Sequence, residues 1–432
     1  MFSLMLFSVF SGISNAEDSN AKVDQPLVVD SGVGLITEYR SNLYLESGEA
    51  FGGDEAVGGA SVLLNPHFKL KFKGNNLNAN LGLNYFARKY LNESYANLDR
   101  YSNGRGLIGL QINPNGKVGF DIQDMLDSTG RESSADTAQT AYIQKVNNAL
   151  RSGIAFHPGS ALDIKIGGLF NTENIVGADS SSANPGSQND RLGYGGYLAV
   201  LWTFLPKTSV FLDTEYEQFD WSKNVICQTI DGSCGGVLAE GYLGIPNGNT
   251  FRAKTGLSGQ ITEKLLLKLS FGYGMSDYDE DSVASNANGG IAQYLTQTTA
   301  VDVEGLDGLM IDAALQVAPS DKQFFSLAYT RNFMDVYFTN FSIYHQFMLT
   351  HGWEMGTVAE LNTSIKYRFD DYDGTVDRSD HRLSATSDFN LNFTPSLSMN
   401  IGGAWKRLAS ADGYSNIEYD DYNIHTGLIF KK

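Results

Sequence analysis

The chain has little of what soluble proteins of its length usually rely on. Its two cysteines exclude a disulfide scaffold and a cysteine-rich zinc module. Prolines number 9 against 46 glycines, and charged residues make up only 19% of 432 residues. Cations are the scarcer sign: Lys and Arg total 31 against 49 Asp and Glu, a net charge of −18. That balance excludes a protein that tracks nucleic-acid phosphates. No stretch beyond the N-terminus reaches the roughly 20 apolar residues a membrane helix needs. The six histidines show no HExxH or other ligand spacing, and no Gly-x-Ser-x-Gly elbow is present. The acidic runs at 277–281 and 370–373 lack EF-hand spacing, so no metal or cofactor is expected.

What is present is apolar and aromatic. Hydrophobic residues reach 42% and aromatics 12%, too much for a disordered chain. The chain opens on the apolar stretch MFSLMLFSVF, with Ser14, Asn15 and Ala16 before Glu17. An apolar core ending in small residues is expected to be a secretory signal cleaved after Ala16, although no Lys or Arg precedes it. The expected organisation is a signal peptide at 1–16, a short polar segment at 17–29 and a β-barrel at 30–432. An exported, Gly-rich and aromatic-rich chain without a membrane helix can still cross a membrane as a closed barrel. Only every second residue of such a barrel meets lipid, which averages out the hydropathy.

The alternation recurs along the chain. Leu77, Ala79, Leu81, Leu83 and Tyr85 alternate with Asn78, Asn80, Gly82 and Asn84. Leu265, Leu267, Leu269, Phe271, Tyr273 and Met275 do the same among Lys264, Lys268, Ser270, Gly272 and Gly274, as do Leu397, Met399, Ile401 and Trp405 farther on. Such runs match the roughly 9–11 residues with which a tilted strand crosses a bilayer. Tight turns at 74–76, 113–116, 206–207, 319–321 and 394–395, among others, alternate with longer polar connections. The reading is an all-β, antiparallel up-and-down transmembrane barrel of about 18 strands, with 16 as the smaller alternative, short periplasmic turns and long extracellular loops. Aromatics such as Phe72, Trp202 and Trp353 near the turns, with Tyr85, Tyr216 and Trp405 at the opposite ends, suggest the two interfacial girdles. The last strand, with Tyr422, Ile424, Thr426, Leu428 and Phe430, has the form of a signal for the barrel assembly machinery. Lys431 and Lys432 follow where an aromatic usually ends the chain.

Polar positions opposite the apolar ones are candidates for the lumen lining: Arg105, Asp121, Lys165, Asp213, Glu215, Glu217, Arg252, Lys254, Lys268, Asp312, Glu360, Lys366, Arg368, Arg382, Asp388 and Lys406. A Lys or Arg facing hydrocarbon near the midplane would cost about 2–4 kcal/mol, so these side chains must meet water, each other or a plug. Asp213, Glu215 and Glu217 beside Arg252 and Lys254 read as a cross-strand ladder. Cys227 and Cys234 share one long connection, where an oxidising compartment favours a local disulfide. The best enzyme-like constellation is Asp380-His381 with Asp370, Asp371, Asp420 and Asp421, a rim arrangement like that of barrel proteases. It is too sparse to displace the expectation that the protein is not an enzyme.

Several segments resemble the β-barrel porin type-2 family of exopolysaccharide export loci. The residues that carry the resemblance are Tyr39-Arg40-Ser41-Asn42-Leu43, the segment from Leu205-Pro206-Lys207 to Phe211 leading into Tyr216 and Asp220, and Gly256-Leu257-Ser258-Gly259-Gln260. Gly272-Tyr273 with Asp277-Tyr278, Ala328-Tyr329-Thr330-Arg331 and the 378–382 segment follow. The resemblance implies an outer-membrane conduit for a secreted polysaccharide in a Gram-negative envelope, with outer-membrane lipid, the assembly machinery and periplasmic export proteins as partners. It supplies no catalytic residues. Two other readings stay open: a general diffusion porin for small solutes, and a non-conducting adhesin or receptor barrel.

Overall fold

A computed structural model describes residues 26–43, 58–94, 99, 103–131, 143–176, 190–221, 247–279, 305–335, 341–373, 378–410 and 418–431. The expected signal peptide, Cys227, Cys234 and most of the long connections lie outside these residues. The described chain forms eighteen strands. They are β1 (Leu27–Arg40), β2 (Gly59–Lys73), β3 (Leu77–Tyr90), β4 (Asn103–Ile112), β5 (Val118–Arg131), β6 (Ile143–Phe156), β7 (Leu162–Val176), β8 (Arg191–Leu205) and β9 (Thr208–Trp221). The second half continues with β10 (Gly248–Thr262), β11 (Leu265–Tyr278), β12 (Leu306–Ser320), β13 (Gln323–Asp335), β14 (Phe341–Met355), β15 (Ala359–Asp373), β16 (Arg378–Thr394), β17 (Leu397–Ser410) and β18 (Tyr419–Lys431). Each pairs antiparallel with the next, and β18 pairs with β1 from Gly32↔Lys431 to Arg40↔Asn423, closing the cylinder. No edge is left to template association.

Several strands start earlier or run further than expected, among them β1 and β15. The first strand begins at Leu27, inside the segment read as a polar leader, because Leu27, Val28 and Val29 pair with Phe72, Lys71 and Leu70. The strand after Ala359 runs on to Asp373, through the acidic run at 370–373, with Asp370 inward between Arg368 and Arg382 and Asp371 outward near the strand end.

Period two sets the two faces of the wall. On β3, Leu81 and Leu83 are 41% and 53% exposed, and their row continues outward-facing through Ile108 and Leu110 of β4 to Ile122 of β5. On β18, Tyr422, Ile424, Thr426, Leu428 and Phe430 occupy the outward positions. An exterior carrying this much contiguous apolar side chain far exceeds the few hundred Å² a soluble monomer exposes, so the wall is built for lipid.

The inward face uses missing side chains as floor space. A Cβ on Gly153 would lie 2.6 Å from the Tyr197 hydroxyl, and one on Gly167 would strike the Ser152 carbonyl oxygen at 2.1 Å. The Tyr197 ring lies over these glycines, and Arg151 in turn crosses the Tyr197 ring at 5.4 Å. Farther round, Phe219, Trp221, Tyr278, Leu306, Met310 and Phe333 form a small apolar core inside the barrel, near the ends of β9, β11 and β13 that carry long connections.

The alternation makes a direct comparison. Leu81→Lys, on the outward face of β3, should lower stability by about 2–4 kcal/mol near the midplane, whereas Asn80→Lys, opposite Gly109 on the inner face, should assemble normally. Urea unfolding of the folded barrels in lipid vesicles reads both. Equal losses would refute the assignment of faces.

Candidate functional site: the inner wall

Strand pairing places all sixteen charged residues named from the sequence on the face opposite the apolar exterior. They do not form one site. They fall into two charged arcs on either side of the barrel, and within each arc most charges are neutralised by partners the linear sequence does not reveal.

The first arc spans β4 to β12. Asp121 accepts hydrogen bonds from Gln111 (3.0 Å) and Lys165 (3.4 Å). Arg105 lies 3.5 Å from Asp127. Arg151 reaches past Tyr197 to pair with Glu215. Glu217 is held by Arg191 at 3.3 Å and by the Asn171 amide at 3.0 Å. Lys254 donates to Asp312 at 2.9 Å, and the Ser270 hydroxyl donates to the same carboxylate at 3.1 Å. Lys268 sits over the Phe211 ring at 5.6 Å. The register sets Arg252 opposite Glu215 and Lys254 opposite Asp213, as the ladder requires, and further partners join it. Glu215 and Glu217 take Arg151 and Arg191, from β6 and β8, while Lys254 crosses to Asp312 on β12. The inward curvature of the wall brings long side chains of non-adjacent strands together, with glycines leaving room between them.

Arg191 and Arg252 also close over the inner apolar core. Their guanidinium carbons stand 4.7 Å from the Phe219 ring and 4.8 Å from the Phe333 ring. Such contacts over desolvated rings are worth about 2 kcal/mol each.

The second arc spans β14 to β3. Arg40 pairs with Asp421 at 2.6 Å, and the two side chains are only 5% and 1% exposed. Arg88 pairs with Glu38 at 2.7 Å. Asp370 lies between Arg368 and Arg382, the latter at 3.0 Å, and Arg382 also donates to the Tyr372 hydroxyl at 2.8 Å. Asp388 meets His425 Nε2 at 2.9 Å, and Glu360 accepts from the Asn362 amide at 2.6 Å. Several lysines of this arc carry no ion pair among the described residues, Lys69, Lys71 and Lys73 of β2 as well as two at mid-wall. Lys366 and Lys406 face each other across Ser384 in one hydrogen-bonding row, and among the described residues neither joins an ion pair. Arg368 and Arg382 add to the positive field at Lys366.

The rim constellation weighed around Asp380-His381 does not assemble. Neighbours in a strand point to opposite faces. Asp380 is buried on the inner face, where the Ser410 hydroxyl donates to it at 2.9 Å, while His381 is on the outer face against Tyr367. Asp370 and Asp421 are likewise committed to arginines. Sequence reasoning missed Glu38, Arg40, Arg88, Arg151, Arg191, Asp370, Asp380 and Asp421 as wall residues. Extending the period-two count past the last apolar residue of each strand would have found most of them. Among the described residues no cluster of His, Cys, Asp and Glu could hold a metal ion.

No family model matches the chain, and no curated protein is similar to it in sequence. Solved structures similar to it include OccK2 (OpdF) of Pseudomonas aeruginosa, 8% identical over 94% of this chain and 98% of that one with a TM-score of 0.49. OccAB4 of Acinetobacter baumannii is 12% identical over 94% and 99%, with a TM-score of 0.46. The copper transporter OprC is 8% identical over 95% and 81%, also at 0.46.

The Arg40–Asp421 pair generates a stability prediction. Asp421→Asn removes the buried carboxylate charge that faces the Arg40 guanidinium at 2.6 Å and should cost about 3–5 kcal/mol, measured by urea unfolding in vesicles. A loss under about 1 kcal/mol, typical of a solvated pair, would mean that water screens this part of the wall.

Proposed function

We propose that the protein is an outer-membrane channel that lets small polar solutes diffuse passively, with the long connections outside the cell and the short turns in the periplasm. The observation that carries this reading is the opposition of the two faces: apolar outside, and densely polar and charged inside around an eighteen-stranded circumference. Barrels of 16–18 strands enclose more width than their side chains fill, leaving an aqueous path. A wall of neutralised charges suits hydrated solutes. It keeps water in the lumen without a net field strong enough to trap either sign.

The polysaccharide reading implied by the family resemblance gains no support from the inner wall. A sugar polymer is best guided by exposed aromatic faces, but Tyr197, Phe219, Trp221, Tyr278, Tyr344 and Tyr372 are each no more than 9% exposed. They are packed into the wall or under arginines. The small-solute channel therefore takes precedence. Lys366 and Lys406 are adjacent points at mid-wall where an anion would find positive charge without an ion-pair partner among the described residues.

Purified barrel in planar bilayers should give stable ohmic steps, and in liposomes it should admit monosaccharides and amino acids while excluding long glucans. Lys366→Gln with Lys406→Gln should keep the conductance and shift the reversal potential toward cations. That shift should shrink at 1 M salt, where the screening length is about 3 Å. Passage of the glucans, or no steps from a folded barrel, would overturn the proposal.

A further inference from the structure

The outer face carries a second charged feature, separate from the lumen. Near the ends of β13 to β16 that carry long connections, Arg331, His345, Phe369 and His381 follow one another in a single hydrogen-bonding row of outward positions. The next outward row toward the membrane centre is Tyr329, Phe347, Tyr367, Leu383 and Arg407. Below it lie Leu327, Leu349, Ile365 and Ala385. In descending order, the surface is therefore cationic and imidazole, then aromatic, then aliphatic.

Each basic group is presented rather than consumed. Arg331 donates to the Leu309 carbonyl oxygen and, like Arg407, joins no ion pair among the described residues. The Tyr329 hydroxyl lies 2.9 Å from His345 Nδ1, and the Tyr367 hydroxyl 2.7 Å from His381 Nδ1. With the hydroxyls donating, each imidazole carries its proton on Nε2 and keeps a donor available whatever its charge. Stacking fixes the rings: Tyr367 lies against His381 at 28° between planes, and Phe369 packs on both imidazoles. The carboxylates that face this patch are Asp371, one outward position beyond Phe369, and Asp420, opposite Arg407, which accepts from the Trp405 indole at 3.3 Å. Elsewhere on the same rim the outward ends of β9, β11 and β12 present Asp220, Asp277 and Asp307.

We propose that the β13–β17 face is a binding site for a phosphorylated glycolipid of the outer leaflet, with Arg331, His345, His381 and Arg407 contacting its phosphates. The order of chemistries along the membrane normal matches that ligand. Phosphates meet the donors, the sugar lies against the aromatic row, and the acyl chains run down the aliphatic band. Arginine suits phosphate because its donors are planar and permanently charged. The proposal rests on the outside orientation of the long connections given above.

The test is native mass spectrometry of the folded full chain, titrated with bisphosphorylated lipid A, its dephosphorylated form and phosphatidylethanolamine. The expected result is a one-to-one adduct with the bisphosphorylated lipid, at least tenfold weaker in Arg331→Gln with Arg407→Gln. Lys89→Gln, an outward lysine of β3 outside the patch, should change nothing. Bilayer conductance of the same variants should match the parent, which separates failure of this site from failure of the channel reading. Equal binding of the dephosphorylated lipid would overturn the proposal, as would unchanged affinity in the double arginine variant or full displacement by inorganic phosphate.

Discussion

A hydrocarbon interior offers no hydrogen-bonding partner, so every backbone N–H and C=O that enters it must be paired within the protein. The ladder between β1 and β18 meets that constraint for this chain. From Gly32↔Lys431 to Arg40↔Asn423, it joins the two ends of the sheet into a cylinder without an open edge. Closure fixes which face of each strand looks outward. That orientation gives the apolar exterior, the charged interior and the division of the chain's polar residues between them.

Closure also explains how so many charges are tolerated on the inner face. The wall curves inward, so side chains several strands apart converge. Arg151 of β6 meets Glu215 of β9, and Lys254 of β10 meets Asp312 of β12. Glycines such as Gly153 and Gly167 let the rings and guanidinium groups lie flat along the wall instead of projecting into the lumen. Lys366 and Lys406, like Lys268 of β11 and Lys69 of β2, depart from that pattern of neutralisation: among the described residues none of them joins an ion pair.

Strand number and the identity of the faces were legible in the sequence because period two is a local property. The run from Leu265 to Met275 reads as β11 without any tertiary information. Pairing partners were not legible. The Asp213 to Lys254 ladder follows from adjacency in the sheet, yet Arg151–Glu215 and Lys254–Asp312 join non-adjacent strands across the curvature, which no local pattern encodes. The Asp380-His381 constellation fails for a reason that was available: consecutive residues of a strand cannot share a face. Wall residues such as Asp370 and Asp421 were hidden because acidic side chains near strand ends resemble loop sequence. The polysaccharide expectation came from resemblance alone, and the buried inner aromatics give it no footing.

The central claim is that alternate residues of the wall border a continuous water path, and cysteine substitution along β15 tests it most directly. With Cys227 and Cys234 replaced by serine, single cysteines at Asn362, Ser364, Lys366 and Arg368 should react with a charged, membrane-impermeant thiol reagent and change the bilayer current as they do. Cysteines at Thr363, Ile365 and Tyr367 should leave the current unchanged. Current changes of equal size at both sets, or at neither, would contradict an alternating wall around an open lumen.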